Sequence, residues 1–249
     1  MRWDPQQYGR YADERARPFL DLLARVGADA PRRVVDLGCG PGTMTAVLAS
    51  RWPDAVVEGL DSSPEMIASA AALTTDGLTF AVADATEWDG DANVVISNAM
   101  LHWVPGHRAL VARWARAVPA GGWLAFQVPG NFDSPSHTLI RALAREFAVE
   151  QTVRPRDAVG DPAEYAALLL DAGLLVDAWE TTYLHVLPGE DPVLDWVRGT
   201  ALRPVLAALT AADADEFCRR LAARLRSAYP RGPRGTLLPF RRIFAVGHR

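Results

Sequence analysis

The sequence predicts an α/β fold built on a mostly parallel sheet. Short β-branched runs alternate with helix-spaced apolar segments over the first half of the chain, and a glycine-rich turn follows the first of those runs. The second half changes to amphipathic stretches and closes on an apolar run, which predicts a helical cap and a final strand. With 249 residues, 49% of them hydrophobic, the chain suffices for a single α/β domain with an elaboration.

Taken in order, Phe19, Leu22, Leu23 and Val26 lie at helical spacing after a polar and aromatic opening. Val34 to Leu37 is a strand that ends in Gly38-Cys39-Gly40-Pro41-Gly42, and Thr43 to Arg51 is the helix after it. Val56 to Leu60 is a strand ending at Asp61. Ser63 then caps a helix whose first position is Pro64. Leu78 to Val82 leads to Asp84, Ala92 to Ser97 leads to Asn98, and Trp123 to Val128 follows Gly121-Gly122, with helix Val111 to Val118 between the last two. Strands alternating with helices require right-handed crossovers and hence a parallel, Rossmann-like sheet. Residues 131–160 and 188–232 read as helical cap insertions, and residues 1–30 as an N-terminal lid helix. A helix over Pro162 to Ala172, a strand over Val176 to Val186 and a closing strand over Phe240 to Val246 complete the chain.

Composition excludes several classes. The net charge of -4 leaves no electrostatic footprint for nucleic acid, and no apolar run reaches the ~20 residues of a membrane span. The opening Met1-Arg2-Trp3-Asp4-Pro5 lacks a signal-peptide core, so a cytoplasmic protein is expected. Cys39 and Cys218 are far apart and one lies in the glycine turn, which argues against a structural disulfide. No lysine occurs, so an anion site would use arginine. From Arg198 onward, eleven arginines face Asp213, Asp215 and Glu216, a local balance of +8 in an acidic protein.

The turn over Asp36 to Gly42 carries the chemistry. Its glycines leave room for close approach to the main chain, and the following helix presents free N–H groups. The spacing is G-x-G-x-G, one residue short of the dinucleotide fingerprint G-x-G-x-x-G. Asp61, followed by Ser62, suits the two hydroxyls of a ribose, and Asp84-Ala85 suits an adenine. Asp36, Gly38, Cys39, Gly40, Gly42, Asp61, Asp84 and Asn98 all fall at or just beyond carboxyl ends of successive strands, where such sheets bind ligands. A nicotinamide-dependent oxidoreductase would use the same turn and acid, but the early third glycine and an antiparallel last strand argue against it. A non-catalytic module of the same fold is disfavoured because no glycine or acid of the turn is missing.

On these motifs the sequence resembles the class I S-adenosylmethionine-dependent methyltransferases. That resemblance implies a seven-stranded sheet with an antiparallel last strand, and S-adenosylmethionine as methyl donor. Further segments resemble the trans-aconitate methyltransferase family: Trp3-Asp4-Pro5 with Tyr8, Ser97-Asn98-Ala99 with Leu101-His102-Trp103-Val104, Gln127-Val128-Pro129-Gly130-Asn131, Trp196 to Thr200 with Leu202-Arg203-Pro204, and Tyr229-Pro230 with Leu238 to Phe244. This implies carboxyl methylation of a small polycarboxylic acid to a monomethyl ester. Another small-molecule acceptor remains the alternative within the class. An acceptor carboxylate is ionised at neutral pH, so neither a catalytic base nor a metal is required. His102 and His107 would matter only for an amine or phenol acceptor. Arginine should grip carboxylates that do not react, with Arg198, Arg203, Arg241 and Arg242 as candidates. Arg241 and Arg242 are adjacent on a strand, so they point to opposite faces. Trp3, Tyr8, Tyr11 and Trp103 could form a lid that excludes water, and Gln127 and Asn98 could hydrogen-bond the acceptor or the cofactor. A monomer or simple homo-oligomer is expected, acting on small molecules without nucleic acid or membrane.

Overall fold

The computed structural model describes residues 12–249. Eight strands and nine α-helices are present among them: α1 (Ala12–Leu23), β1 (Arg33–Leu37), α2 (Thr43–Arg51), β2 (Val56–Asp61), α3 (Pro64–Ala70), β3 (Leu78–Val82), β4 (Val94–Asn98), α4 (His107–Ala117), β5 (Trp123–Pro129), α5 (Pro135–Glu146), α6 (Pro162–Asp171), β6 (Leu175–Leu187), α7 (Pro192–Arg198), α8 (Arg203–Ala207), α9 (Ala211–Ala228), β7 (Arg231–Gly232) and β8 (Gly235–His248). The strand order is β3-β2-β1-β4-β5-β8-β6. Contacts divide the chain into two compact units. One runs to Pro129 and adds Gly160–Glu180 and Ile243–Arg249; the other comprises Gly130–Val159 and Thr181–Arg242.

The first unit holds the parallel pairs β1–β2, β1–β4, β2–β3 and β4–β5. Their burial explains their composition. From Val34 to Leu37, Val94 to Ser97 and Leu124 to Val128 every residue is buried, as expected of strands covered on both faces, whereas β3 at the edge buries Leu78 alone. Strand order reverses between β1 and β4, so the carboxyl ends of these two strands open the crevice where ligands bind. Helix α1 packs against β5 through fully buried Phe19 and Leu22, and Arg51 donates to the carbonyls of Leu23 and Val26 just past or at its end. β8 runs antiparallel to β5: Gly121 donates to Arg249 O and Arg249 to Gly122 O, at the amino end of β5.

In the second unit, α5 packs against α9, and α7 against α9. Tyr229 accepts the backbone N–H of Ser136 at 3.0 Å through its hydroxyl, joining the start of α5 to the end of α9. The amphipathic stretch after Leu202 is two helices, because Thr210 accepts the Asp213 N–H and starts a new one. Ion pairs of Glu146 with Arg220 and Arg224, and of Asp191 with Arg226, cover the exposed side.

The sheet has eight strands where seven were expected. The extra one, β7, is a two-residue arm that pairs antiparallel with β8 through Arg231↔Thr236 and Gly232↔Gly235. It is too short to leave an alternation in sequence. β8 also begins at Gly235, five residues before the expected start. Pro239 masks that start in the sequence, because proline has no N–H to give a ladder; in the strand it is exposed on the same side as Leu237.

Gly42 illustrates how the sheet edge is assembled. Its φ is +80°, and a Cβ there would stand 2.7 Å from the Phe80 ring and 2.8 Å from Ala70 Cβ. Gly59 meets the same ring at 2.6 Å. Gly42→Ala should therefore destabilise the fold by about 2–4 kcal/mol in denaturant titration, combining left-handed strain with overpacking. Phe80→Ala in the same background should recover the packing share and leave the strain.

Candidate cofactor site

The site is built by three strand ends and the loops that leave them. Gly38 and Cys39 both donate to the Leu60 carbonyl, at 2.8 and 3.0 Å, which pins the glycine loop across the end of β2. Gly40 then donates its N–H to Asp61 Oδ2 at 2.9 Å, while Ser63 donates to Asp61 Oδ1 at 2.8 Å. Both oxygens of Asp61 are thus held by main chain, and each keeps a lone pair for a ligand. Ser63 also accepts the Met66 N–H, so one short segment fixes the carboxylate and caps α3.

The glycines differ in what they do. Gly40, at φ +58°, has nothing within 4 Å of the position a Cβ would take, so its surroundings are open to a ligand. Gly38, at φ +82°, lies against Met100, whose Cγ would be 2.4 Å from such a Cβ. Met100 is brought there by Ala99, which holds a left-handed φ of 56° and donates its N–H to Gln127 O at 2.9 Å. The preceding residue, Asn98, is paired in register with Gln127. Its Oδ1 is buried and has no hydrogen-bond partner among the described residues.

Asp36 is 2% exposed and accepts a 2.7 Å hydrogen bond from Thr45 Oγ1 on α2. Burial pushes its pKa up to about 7; the Thr45 bond opposes this and the Asp61 charge adds to it. Cys39 is buried, and burial together with the charges of Asp36 and Asp61 drives its thiol pKa up, which disfavours the thiolate. Asp84 is exposed, with Oδ1 accepting the Thr86 N–H, beside buried Ala85; Ser62 is exposed.

The edge therefore offers acceptors: Asp36, Asp61 and Asn98 Oδ1. No arginine occurs in residues 36–42, 61–63, 84–85 or 98–100. A pyrophosphate would meet like charge, whereas a ligand with hydroxyls and a positive charge would find partners.

A family described as a methyltransferase domain matches residues 8–177. The chain is 54% identical to a trans-aconitate 2-methyltransferase of Rhodococcus jostii, over 98% of both chains. The chain belongs to this methyltransferase family. Its fold is shared at a TM-score of 0.64 and 15% identity with the YcgJ protein of Bacillus subtilis, over 94% of this chain and 98% of that one. Geranyl diphosphate C-methyltransferase of Streptomyces coelicolor, solved with S-adenosylhomocysteine, matches at a TM-score of 0.54 and 15% identity, over 98% and 83%. The acceptor-lined edge of this methyltransferase fits an adenosyl ligand: open space at Gly40, spare lone pairs on the Asp61 carboxylate, and an unsatisfied amide oxygen on Asn98.

Other sequence-predicted residues are distributed as follows. Trp3, Tyr8 and Tyr11 lie outside the described residues, as does the opening part of the expected lid. Gln127 is fully buried in β5, and Trp103 lies in a 3₁₀ turn after β4 with its ring 5.1 Å from that of His102. His107 is buried, 2.8 Å from the Tyr165 hydroxyl, with its pKa lowered chiefly by burial. That arrangement makes it a core residue between α4 and α6. In the second unit, Arg242 is 6% exposed with its guanidinium 4.6 Å above the Phe240 ring, and Phe240 packs edge-on to Trp196. Arg241 is half-buried, and its backbone exchanges hydrogen bonds with the side chain of Asn131. Arg203 opens α8, half-buried, and Arg198 is exposed at the end of α7. The sequence offers Gly42 to the cofactor; the structure shows it packed against Phe80 and Ala70. The sequence does not show that Thr45 and Ser63 hold Asp36 and Asp61. Ser63 was legible as a cap, but its amide bond to Asp61 required the fold.

Asp36 sets a pH signature for the ligand-free protein. Its folded pKa is raised above the ordinary carboxylate value, so its stabilising contribution is present below pH ~4 and lost as pH rises through about 7. Thermal melts should show the wild type losing stability across this window relative to Asp36→Asn, with a gap on the order of 2–4 kcal/mol at pH 8.

Proposed function

We propose that this methyltransferase transfers a methyl group from S-adenosylmethionine to one carboxylate of a small polycarboxylic acid, with trans-aconitate as the foremost acceptor. It would act in the cytoplasm, as a monomer or simple homo-oligomer, without a metal ion. The observation that carries the reading is the phosphate-averse, acceptor-lined strand edge, on a chain 54% identical along its length to a trans-aconitate 2-methyltransferase.

When bound, S-adenosylmethionine supplies a methyl group activated by a sulfonium. The chain's own residues bind and orient. Asp61, fixed at both oxygens by main chain, accepts the two ribose hydroxyls. Asp84, Ala85 and Ser62 bound the adenine side. The loop at Gly38, Cys39, Gly40 and Gly42 leaves the main chain open to close approach. Asp36 and Asn98 face the amino-acid part, where a positive charge would restore the ionised form of Asp36. An acceptor carboxylate has an ordinary pKa of about 4 and arrives ionised, so no residue needs to remove a proton. That agrees with a His107 locked to Tyr165.

Arginine bound tightly to the attacking oxygen would lower its nucleophilicity, so Arg198, Arg203, Arg241 and Arg242 are assigned to carboxylates that do not react. Arg242, desolvated on Phe240, is the best held of the four. Trp3, Tyr8, Trp103 and Gln127 are assigned to acceptor binding and exclusion of water.

Radiolabelled methyl transfer onto a panel of di- and tricarboxylic acids tests the reaction. The expected product releases its label in mild base, as an ester does; a base-stable product refutes carboxyl methylation. Asp61→Ala should weaken S-adenosylhomocysteine binding ~10–100-fold in calorimetry, because charge-assisted bonds to both hydroxyls are lost. Arg203→Ala should instead raise the acceptor KM and leave cofactor affinity unchanged; the reverse pattern would exchange the two assignments.

A further inference from the structure

Asp36 is a buried carboxyl group with no cation beside it among the described residues. It lies on an inner strand, β1, in register with Gly59 of β2 and Ile96 of β4. Thr45 is fully buried on α2, and its Oγ1 donates to Asp36 Oδ2 at 2.7 Å. No other hydrogen bond reaches Asp36 among the described residues. The second acid, Asp61, takes the N–H of Gly40 at 2.9 Å, from the same glycine loop that leaves β1.

The surrounding elements supply no counter-charge. β2 brings Glu58 and Asp61, and Glu58 is paired with Arg33 of β1 at 3.4 Å. β4 carries no charged residue, and the turn after it brings His102, whose ring lies against Trp103. α2 brings only Arg51, which donates to the carbonyls of Leu23 and Val26. α3 brings Glu65, which accepts the Ser63 hydroxyl, and Asp84 beyond β3 accepts the Thr86 N–H. The glycine loop brings Cys39, whose thiol pKa is itself pushed up by burial and both acids. The charge that acts on Asp36 is that of Asp61. Burial disfavours a carboxylate and a like charge disfavours it further, so the Asp36 pKa rises to about 7. With Thr45 donating to Oδ2, the proton rests on Oδ1.

We propose that Asp36 gives up a proton to solvent when the ammonium group of an S-adenosyl ligand binds, and that Thr45 is the positioning residue that keeps one carboxyl oxygen for that ligand. The inference rests on the reading of Asp36 as a partner of the cofactor's amino-acid part, and it adds to that reading a proton exchange and a residue that the sequence passed over. The O–H bond of Asp36 breaks and its proton leaves to solvent. A charge-assisted N–H···Oδ1 hydrogen bond from the ammonium takes its place, and nothing is oxidised or reduced. Thr45 fills Oδ2 in both states, because a hydroxyl donates to a carboxyl and to a carboxylate alike. A nucleoside ligand without an ammonium group leaves the proton where it is.

Calorimetry of S-adenosylhomocysteine binding to the full chain, repeated in buffers of different ionisation enthalpy, counts the protons exchanged. For a group titrating at about 7, about nine tenths of a proton should leave on binding at pH 6 and about one tenth at pH 8, with binding about tenfold weaker at pH 6. 5′-Methylthioadenosine, which has the nucleoside and the thioether but no ammonium, should bind without proton release and without that pH dependence. Asp36→Asn should abolish the release. Thr45→Val should move it to higher pH, because the Thr45 bond favours the ionised form, and Thr45→Ser should restore the wild-type profile. A residue with a merely structural role would change affinity and leave the pH profile in place. Should Thr45→Val fail to fold, the comparison of the two ligands on the wild type still decides the exchange. S-adenosylhomocysteine binding with no proton released at pH 6, equal release with 5′-methylthioadenosine, or undiminished release from Asp36→Asn overturns the proposal and leaves the cofactor reading standing. A profile unmoved in folded Thr45→Val overturns the positioning role. Absence of S-adenosylhomocysteine binding at any pH sinks the cofactor reading as well.

Discussion

The carboxylate of Asp61 is the joint on which the ligand-binding edge depends. One oxygen takes the N–H of Gly40 from the loop after β1, the other the N–H of Ser63 from the start of α3. Two loops from neighbouring strands are thereby referred to one side chain, and its orientation is set before any ligand arrives. Preorganisation of this kind lowers the ordering cost of binding. It also has an electrostatic consequence, since the Asp61 charge adds to the burial that raises the Asp36 pKa to about 7. The edge is therefore short of positive charge, and that shortage selects the chemistry of what it can hold.

Much of this edge was legible in the sequence because it is local. A strand, a glycine turn and a helix occupy about twenty consecutive residues, and the acids fall where successive strands stop. What escaped was tertiary. Gly42 is glycine partly because the ring of Phe80, on another strand, lies across it. Thr45 reads as an ordinary helix residue until the fold places its hydroxyl on Asp36. β8 starts earlier than expected because proline in an apolar run signals an end, whereas here it is exposed within the strand. Four arginines looked equivalent as acceptor ligands, yet Arg242 is desolvated on an aromatic ring and Arg198 is exposed.

The β4–β5 corner shows a different economy. Ala99 keeps a left-handed backbone, a conformation that costs a non-glycine residue on the order of 1–2 kcal/mol. The bond from its N–H to Gln127 O offsets part of this cost, and the turn places Met100 against Gly38. Ser97 adds a further tie, donating to Leu37 O at 2.8 Å. The ends of β1, β4 and β5 are thus locked by groups that do not themselves react. Such rigidity suits a displacement in which the chain contributes proximity and alignment in place of proton transfer.

The absence of lysine then acquires a physical meaning. A buried ammonium loses its proton readily, because burial disfavours the charged form and its ordinary pKa of about 10.4 leaves limited reserve. A guanidinium starts above about 12, so even Arg154, lowered to about 10 by burial, stays charged at neutral pH. Arginine is also less strongly hydrated than an ammonium, which reduces the cost of bringing it inside. A chain whose only strong cations are arginines can keep positive charge beneath its surface. The second unit does so at Arg154 and Arg242, while the acids Glu146 and Asp191 hold arginines on the exposed side. Charge is placed in opposite senses in the two units: acceptors on the strand edge of one, desolvated donors in the other.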